Sequence, residues 1–188
     1  MNFKRWTVLV VIIVMLITIF FSRVINIKKV IDFKNLNNKE TNMKIESNIF
    51  KNNGNIPVEY TCSGKSTRIP ISISGISKEA KSLAIIVDDP DAPSGDFVHW
   101  VLWNIPTDTT EIESDSIPNG AQEGANGTGK SGWVAPCPPS GIHHYFFRLY
   151  ALDITLSIEK PSTKSDLILA MGGHIIEEAT LVGLYGKK

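Results

Sequence analysis

Between Met43 and Lys188 the apolar residues come in short runs cut by Gly, Pro and Asn. Several of these runs predict β-strands: Pro57 to Thr61, Pro70 to Ser74, Ser82 to Val87, Val98 to Ile105 and Tyr145 to Leu152. Ser82 to Val87 is a continuous apolar, largely β-branched stretch, the pattern of a strand buried on both faces. Phe97 to Ile105 is likewise apolar on both faces of a two-residue period, except for His99 near the start of one face. A lone histidine entering a buried strand needs a partner. Short strands at this spacing predict a mainly β fold, an antiparallel β-sandwich with a few peripheral helices.

The period lengthens towards the C-terminus. Lys164 to Met171 and His174 to Leu184 carry helical apolar spacing, broken at Gly172-Gly173, with Ser162 or Ser165 as N-cap candidates. Both segments are expected to pack as helices on one side of the sandwich, with His174 as a structural histidine. Pro118 to Gly132, rich in Gly and Asn, reads as a long loop of the mobile or functional kind.

The N-terminus carries a different pattern. After Lys4 and Arg5, Trp6 to Phe21 is uncharged and almost wholly apolar, and as helix would reach about 24 Å at ~1.5 Å per residue. Small residues before a cleavage point are lacking, so residues 1–22 read as an uncleaved N-terminal membrane helix, with a signal sequence as the alternative. An anchor of this kind puts the domain outside the cytoplasm; cleavage would make it secreted. Residues 23–42, with Arg23, Lys28, Lys29, Lys34 and Lys39 against Asp32 and Glu40, read as a basic tether suited to an anionic membrane surface. Residues 43–188 are then the domain.

Composition fits an ordinary globular protein: 188 residues, 43% hydrophobic, 20% charged and formal net charge zero. There is no basic excess or aromatic-basic interleaving to suggest nucleic acid, and no cofactor-binding motif. Cys62 and Cys137 lack the spacing of a zinc site; a disulfide between them and two separate thiols both remain open.

Candidate chemistry gathers in two stretches. The Ser82–Val87 run ends in Asp88, Asp89 and Asp91, interleaved with Pro90 and Pro93, so the carboxylates sit on a stiff turn. Pro136-Cys137-Pro138-Pro139-Ser140-Gly141 is another stiff loop, leading through His143 and His144 into a strand. Neighbours on a strand face opposite ways, which puts His143, not His144, on the face of Tyr145 and Phe147. Asp89, Asp91, His99 and His143 are the residue types of a metal site, a hydrolytic acid-base centre or an anion pocket. Short His-x-His spacing and a nucleophile elbow around Ser94 or Ser140 are both absent, which favours the pocket.

Asp89-Pro90-Asp91-Ala92-Pro93, then His99-Trp100, then Pro136-Cys137-Pro138-Pro139 with Gly141, His143 and Tyr145, together resemble the signatures of the phosphatidylethanolamine-binding protein family, in its bacterial and archaeal Raf-kinase-inhibitor-like branch. The likeness extends over Met43 to Lys188. It departs at Ala135, where the family often has Gly, at His144, where it often has Arg, and at Arg68 to Ile73, where a Ser-Pro-Pro-Leu-Ser-Trp segment is usual. The resemblance implies a non-enzymatic pocket for phosphorylated headgroups, shaped by Asp89, His99, Pro136, His143 and Tyr145, with Asp91 beside them. It also implies relatives that inhibit kinases or serine proteases, so a protein partner at the pocket rim is the alternative. No metal is expected.

Overall fold

The computed structural model describes residues 42–159 and 162–187. In chain order the strands are β1 Lys44–Glu46, β2 Gly54–Asn55, β3 Ile71–Ser74, β4 Ser82–Asp89, β5 Phe97–Ile105, β6 Glu111–Ile112, β7 Gln122–Glu123, β8 Ile142–Leu152 and β9 Ile175–Gly186, with one helix, α1 Lys164–Met171. They form a small sheet of order β1-β3-β6 and a large one of order β2-β9-β8-β4-β5-β7. Pairing is antiparallel throughout, apart from the short parallel contact of β2 with β9.

The large sheet is covered on both faces, which explains the apolar run of β4. Leu83, Ile85 and Val87 join Trp100, Leu102, Phe147 and Leu149 in a core shared with Ile45, Ile71, Ile73 and Ile112 of the small sheet. On the opposite face Ala84, Ile86, Val101 and Trp103 pack against Leu156 and against Leu167 and Met171 of α1. Every residue of β4 is therefore buried. Alternation also sends Asp88 and Asp89 at its end to opposite faces.

Several expectations are corrected. His174 to Leu184 is not a helix but β9, paired with β8 from Ile142↔Gly186 to Leu152↔Ile175. Glu177, Leu181, Gly183 and Tyr185 are its buried positions, a two-residue period that the scattered isoleucines and alanine disguised. Gly183 has a packing reason, since a Cβ there would come within 2.7 Å of the Ile56 side chain. Pro57 to Thr61 is not a strand: Val58–Tyr60 is a 3-10 turn, entered from Pro57 at φ −62° and tied by the Thr61 hydroxyl donating to the Val58 carbonyl at 2.8 Å. The helix N-cap is Thr163, in a reciprocal capping box with Asp166, rather than Ser162 or Ser165.

The Pro118 to Gly132 loop is fastened along β5. β7 pairs with Leu102 and Trp103, and Gly127 N–H donates to the Val98 carbonyl at 2.7 Å. Among the described residues α1 is the one α-helix, not several, and no helix is long and apolar enough to cross a membrane. The expected N-terminal membrane helix and most of the tether lie outside the described residues.

Candidate functional site

Three strand ends and one loop meet at one end of the central strands of the large sheet. The end of β4 brings Asp89, the start of β5 brings His99, the start of β8 brings His143, and the segment from Val134 to Pro139 closes over them around a cavity of about 200 Å³. Ala92, Pro93, Ser94 and Phe97 complete the wall. Proline in both loops limits how far the walls can move.

Asp89 and His143 form a buried pair. His143 Nδ1 lies 2.7 Å from Asp89 Oδ2, and their side chains are 7% and 5% exposed. Asp89 Oδ1 accepts from the Asp91 backbone N–H at 2.9 Å, so both oxygens of the carboxylate are engaged. A buried carboxylate held in this way fixes both the turn and the imidazole.

His99 is held differently. Its Nδ1 donates to the Val134 carbonyl at 2.7 Å, while the Val134 N–H donates to the His99 carbonyl at 2.9 Å. This double contact pins the closing loop to β5. Burial pushes the imidazole below its ordinary pKa, with the Val134 carbonyl and Asp89 acting in the opposite direction. His99 Nε2 is buried and has no hydrogen-bond partner.

Tyr145 lies under both histidines, edge-on to His99 at 5.2 Å between ring centres and stacked with His143 at 6.5 Å. Burial and the nearby Asp89 raise its phenol well above the usual range. Its hydroxyl too is buried without a partner.

The remaining expected residues serve the walls. Asp91 sits at the exposed rim, where its Oδ2 accepts from the backbone N–H of His144 at 2.8 Å and from His144 Nδ1 at 2.6 Å. The side-chain hydrogen bond from His144, with that from the backbone, holds the Asp91 carboxyl below its usual pKa. Pro136 does not line the cavity; it is buried, and its carbonyl accepts from the Cys62 N–H at 3.0 Å. Beside it, Cys137 is bonded to Cys62, with Cα atoms 5.3 Å apart, which answers the open cysteine question. His174 is remote and contacts Asp153 at 2.9 Å.

Sequence reasoning had no means to find the Val134 carbonyl, because a backbone acceptor carries no residue signature. It also grouped Asp88 with its neighbours. Asp88 instead faces the second core, 2.6 Å from Lys164 Nζ and 3.2 Å from Arg148 Nε. Among the described residues no three His, Cys, Asp or Glu side chains cluster to hold a metal ion.

The family model described as phosphatidylethanolamine-binding protein matches residues 46–186. The chain belongs to the phosphatidylethanolamine-binding protein family. A UPF0098 protein of Methanothermobacter thermautotrophicus is 48% identical over 148 residues, which cover 76% of this chain and 98% of that protein. A solved homologue of phosphatidylethanolamine-binding protein from Chlamydia trachomatis is 39% identical with a TM-score of 0.75, covering 79% of this chain and 100% of its own. E. coli YbcL, described as a new member of the mammalian family, is 28% identical with a TM-score of 0.72, covering 78% of this chain and 99% of its own. The bacterial and archaeal branch therefore fits. Of the three departures noted in the sequence, those at Ala135 and His144 fall at the pocket. Ala135 lines the cavity, and His144 stands on the rim in contact with Asp91.

Proposed function

We propose that this protein is a non-enzymatic binder of a small phosphate- or carboxylate-bearing ligand, held in the cavity between Asp89, His99 and His143. The observation that carries the reading is His99, a residue of the wall of a small cavity whose buried Nε2 has no hydrogen-bond partner. A buried polar group left unpaired costs about 1–3 kcal/mol, and a ligand that completes it recovers that cost. The His143–Asp89 pair supports the same reading, since a carboxylate on Nδ1 fixes how the ring is presented in the cavity wall. At about 200 Å³ the cavity is smaller than the ~300–1,000 Å³ of drug-sized pockets, so it suits a headgroup rather than an acyl chain.

Two observations favour binding over nucleophilic catalysis. The Cys137 sulfur is committed to a disulfide, and Ser94, the hydroxyl in the wall, stands on an exposed Pro-Ser-Gly turn rather than a strand-to-helix elbow. As part of this proposal the domain is held outside the cytoplasm by the Trp6 to Phe21 segment. The exposed Cys62–Cys137 bond, of a kind that persists in oxidising compartments, supports that side of the membrane.

Calorimetric titration of phosphoethanolamine into the full chain tests the reading, with Asp89→Asn and His99→Ala alongside. Saturable binding that both variants weaken is the expected result. Binding unchanged in both would put the ligand elsewhere.

A further inference from the structure

The proposed pocket is poor in fixed positive charge. Its wall holds His99 and His143 but no Lys or Arg, and His143 is already matched by Asp89. A fully ionised anion would meet the Asp89 carboxylate with no permanent cation to offset it. The wall is therefore unlike a site made for a bare dianion.

The tautomer of His99 is fixed by its neighbour. A carbonyl can only accept, so the Nδ1 that lies 2.7 Å from the Val134 oxygen carries the hydrogen. In the neutral ring, Nε2 then presents a lone pair, and it has no partner. The groups around the ring oppose one another. Asp88 and Asp89 on β4 favour its charging and His143 on β8 disfavours it, while burial among Phe97, Tyr145 and Trp133 is the largest influence and keeps the ring neutral. What such a nitrogen lacks is a hydrogen-bond donor.

Resting on the anion-pocket reading above, we infer that His99 is a specificity residue whose Nε2 accepts a hydrogen bond from an O–H of the ligand. The pocket thereby selects inorganic phosphate and phosphate monoesters over sulfate and phosphate diesters. A monoester has a second ionisation near pH ~6, so at pH 6.5 about a quarter of it still carries a P–OH. Sulfate has the same shape and no such proton, and neither does a diester. The bound state contains one proton shared between ligand oxygen and Nε2. A phosphate brings that proton with it; sulfate binds only if His99 is protonated first, against the burial that keeps it neutral.

The test uses calorimetry on the purified full chain with four probes: inorganic phosphate, phosphoethanolamine, sulfate and glycerophosphoethanolamine. At pH 6.5 the first two should bind about tenfold or more tightly than the last two, the effect of one buried group left unpaired or charged. At a pH below the depressed His99 value sulfate should gain and the gap should narrow, because His99 itself takes up the proton. His99→Gln, whose amide can donate as well as accept, should close the gap at pH 6.5 while phosphate binding persists. If that variant fails to fold, the wild-type comparison at the two pH values decides alone. Equal affinities for phosphate and sulfate at pH 6.5 would overturn the inference and leave the anion site standing. Heat from none of the four would remove both, and a diester that matched phosphoethanolamine would point to an intact lipid headgroup and against selection by the O–H.

Discussion

Cleaving the bond between Cys62 and Cys137 should lower stability and loosen the cavity together. The bond closes a loop of sequence separation 75. Chain-entropy arguments for a loop of that length give about 4.5 kcal/mol at 25 °C, and measured losses usually fall nearer ~2–4 kcal/mol. In a domain of this size each kcal/mol moves the melting midpoint by roughly 2–4 °C, so reduction should lower it by about 5–15 °C. The bond also anchors the wall. Cys137 lines the cavity, and the adjacent Pro136 carbonyl accepts from the Cys62 N–H at 3.0 Å, so losing the link frees the Pro136 to Ser140 segment that closes over His99 and His143. Differential scanning calorimetry of the wild type with and without reductant, beside a Cys62→Ser, Cys137→Ser variant, reads the first effect. Phosphoethanolamine titration of the same samples reads the second. Reduced wild type and variant should agree with each other, both melting lower and both binding more weakly. A midpoint within about 2 °C of the oxidised protein, or unchanged ligand affinity, would show that the bond neither braces the fold nor holds the wall.

Three further outcomes are expected. Lys164→Met removes the 2.6 Å partner of Asp88, whose side chain is 1% exposed, and leaves Arg148 at 3.2 Å; urea denaturation should show a loss of about 1–3 kcal/mol, and a loss under ~0.5 kcal/mol would mean that Arg148 alone suffices. Burial depresses the His99 pKa in the folded state, so its contribution to stability is full above the unfolded value of ~6.5, declines as pH falls through it, and levels off below the depressed folded value; His99→Phe should flatten that part of the pH-stability curve, and an unchanged slope would contradict the assignment. Residues 43–188 expressed without the N-terminal segment should unfold cooperatively, whereas the full chain should sediment with membranes through alkaline washing; an insoluble truncated product or a freely soluble full chain would refute the division proposed at residue 42.

What the sequence made legible were features written in local pattern. The apolar run of Ser82 to Val87 announced a strand covered on both faces, and the opposite-facing rule picked His143 over His144 as the inward histidine, as their burial and exposure now show. The stiff loops foretold the cavity walls. Long-range pairing was not legible in the same way. Ile175–Gly186 carries apolar residues at spacings that suit a helix, yet it is a strand because the whole length of Ile142–Leu152 lies open to pair with it, and tertiary context outweighs local propensity. Asp91 and Pro136 were expected in the site itself, whereas one braces the rim and the other supplies a backbone acceptor outside the cavity. Asp88 shows the limit of counting charges: one step of the backbone sends it to the far side of the sheet, where Lys164 from a distant helix meets it.

The central claim, that an anion completes the cavity beside His99, is tested most directly by a crystal structure of the protein with phosphoethanolamine. Electron density for the phosphate is expected between His99 and His143 under the Val134 to Pro139 segment, with an oxygen within ~3 Å of His99 Nε2. A structure at saturating ligand in which that cavity holds no phosphate, while His99 Nε2 remains unpaired, would contradict the account.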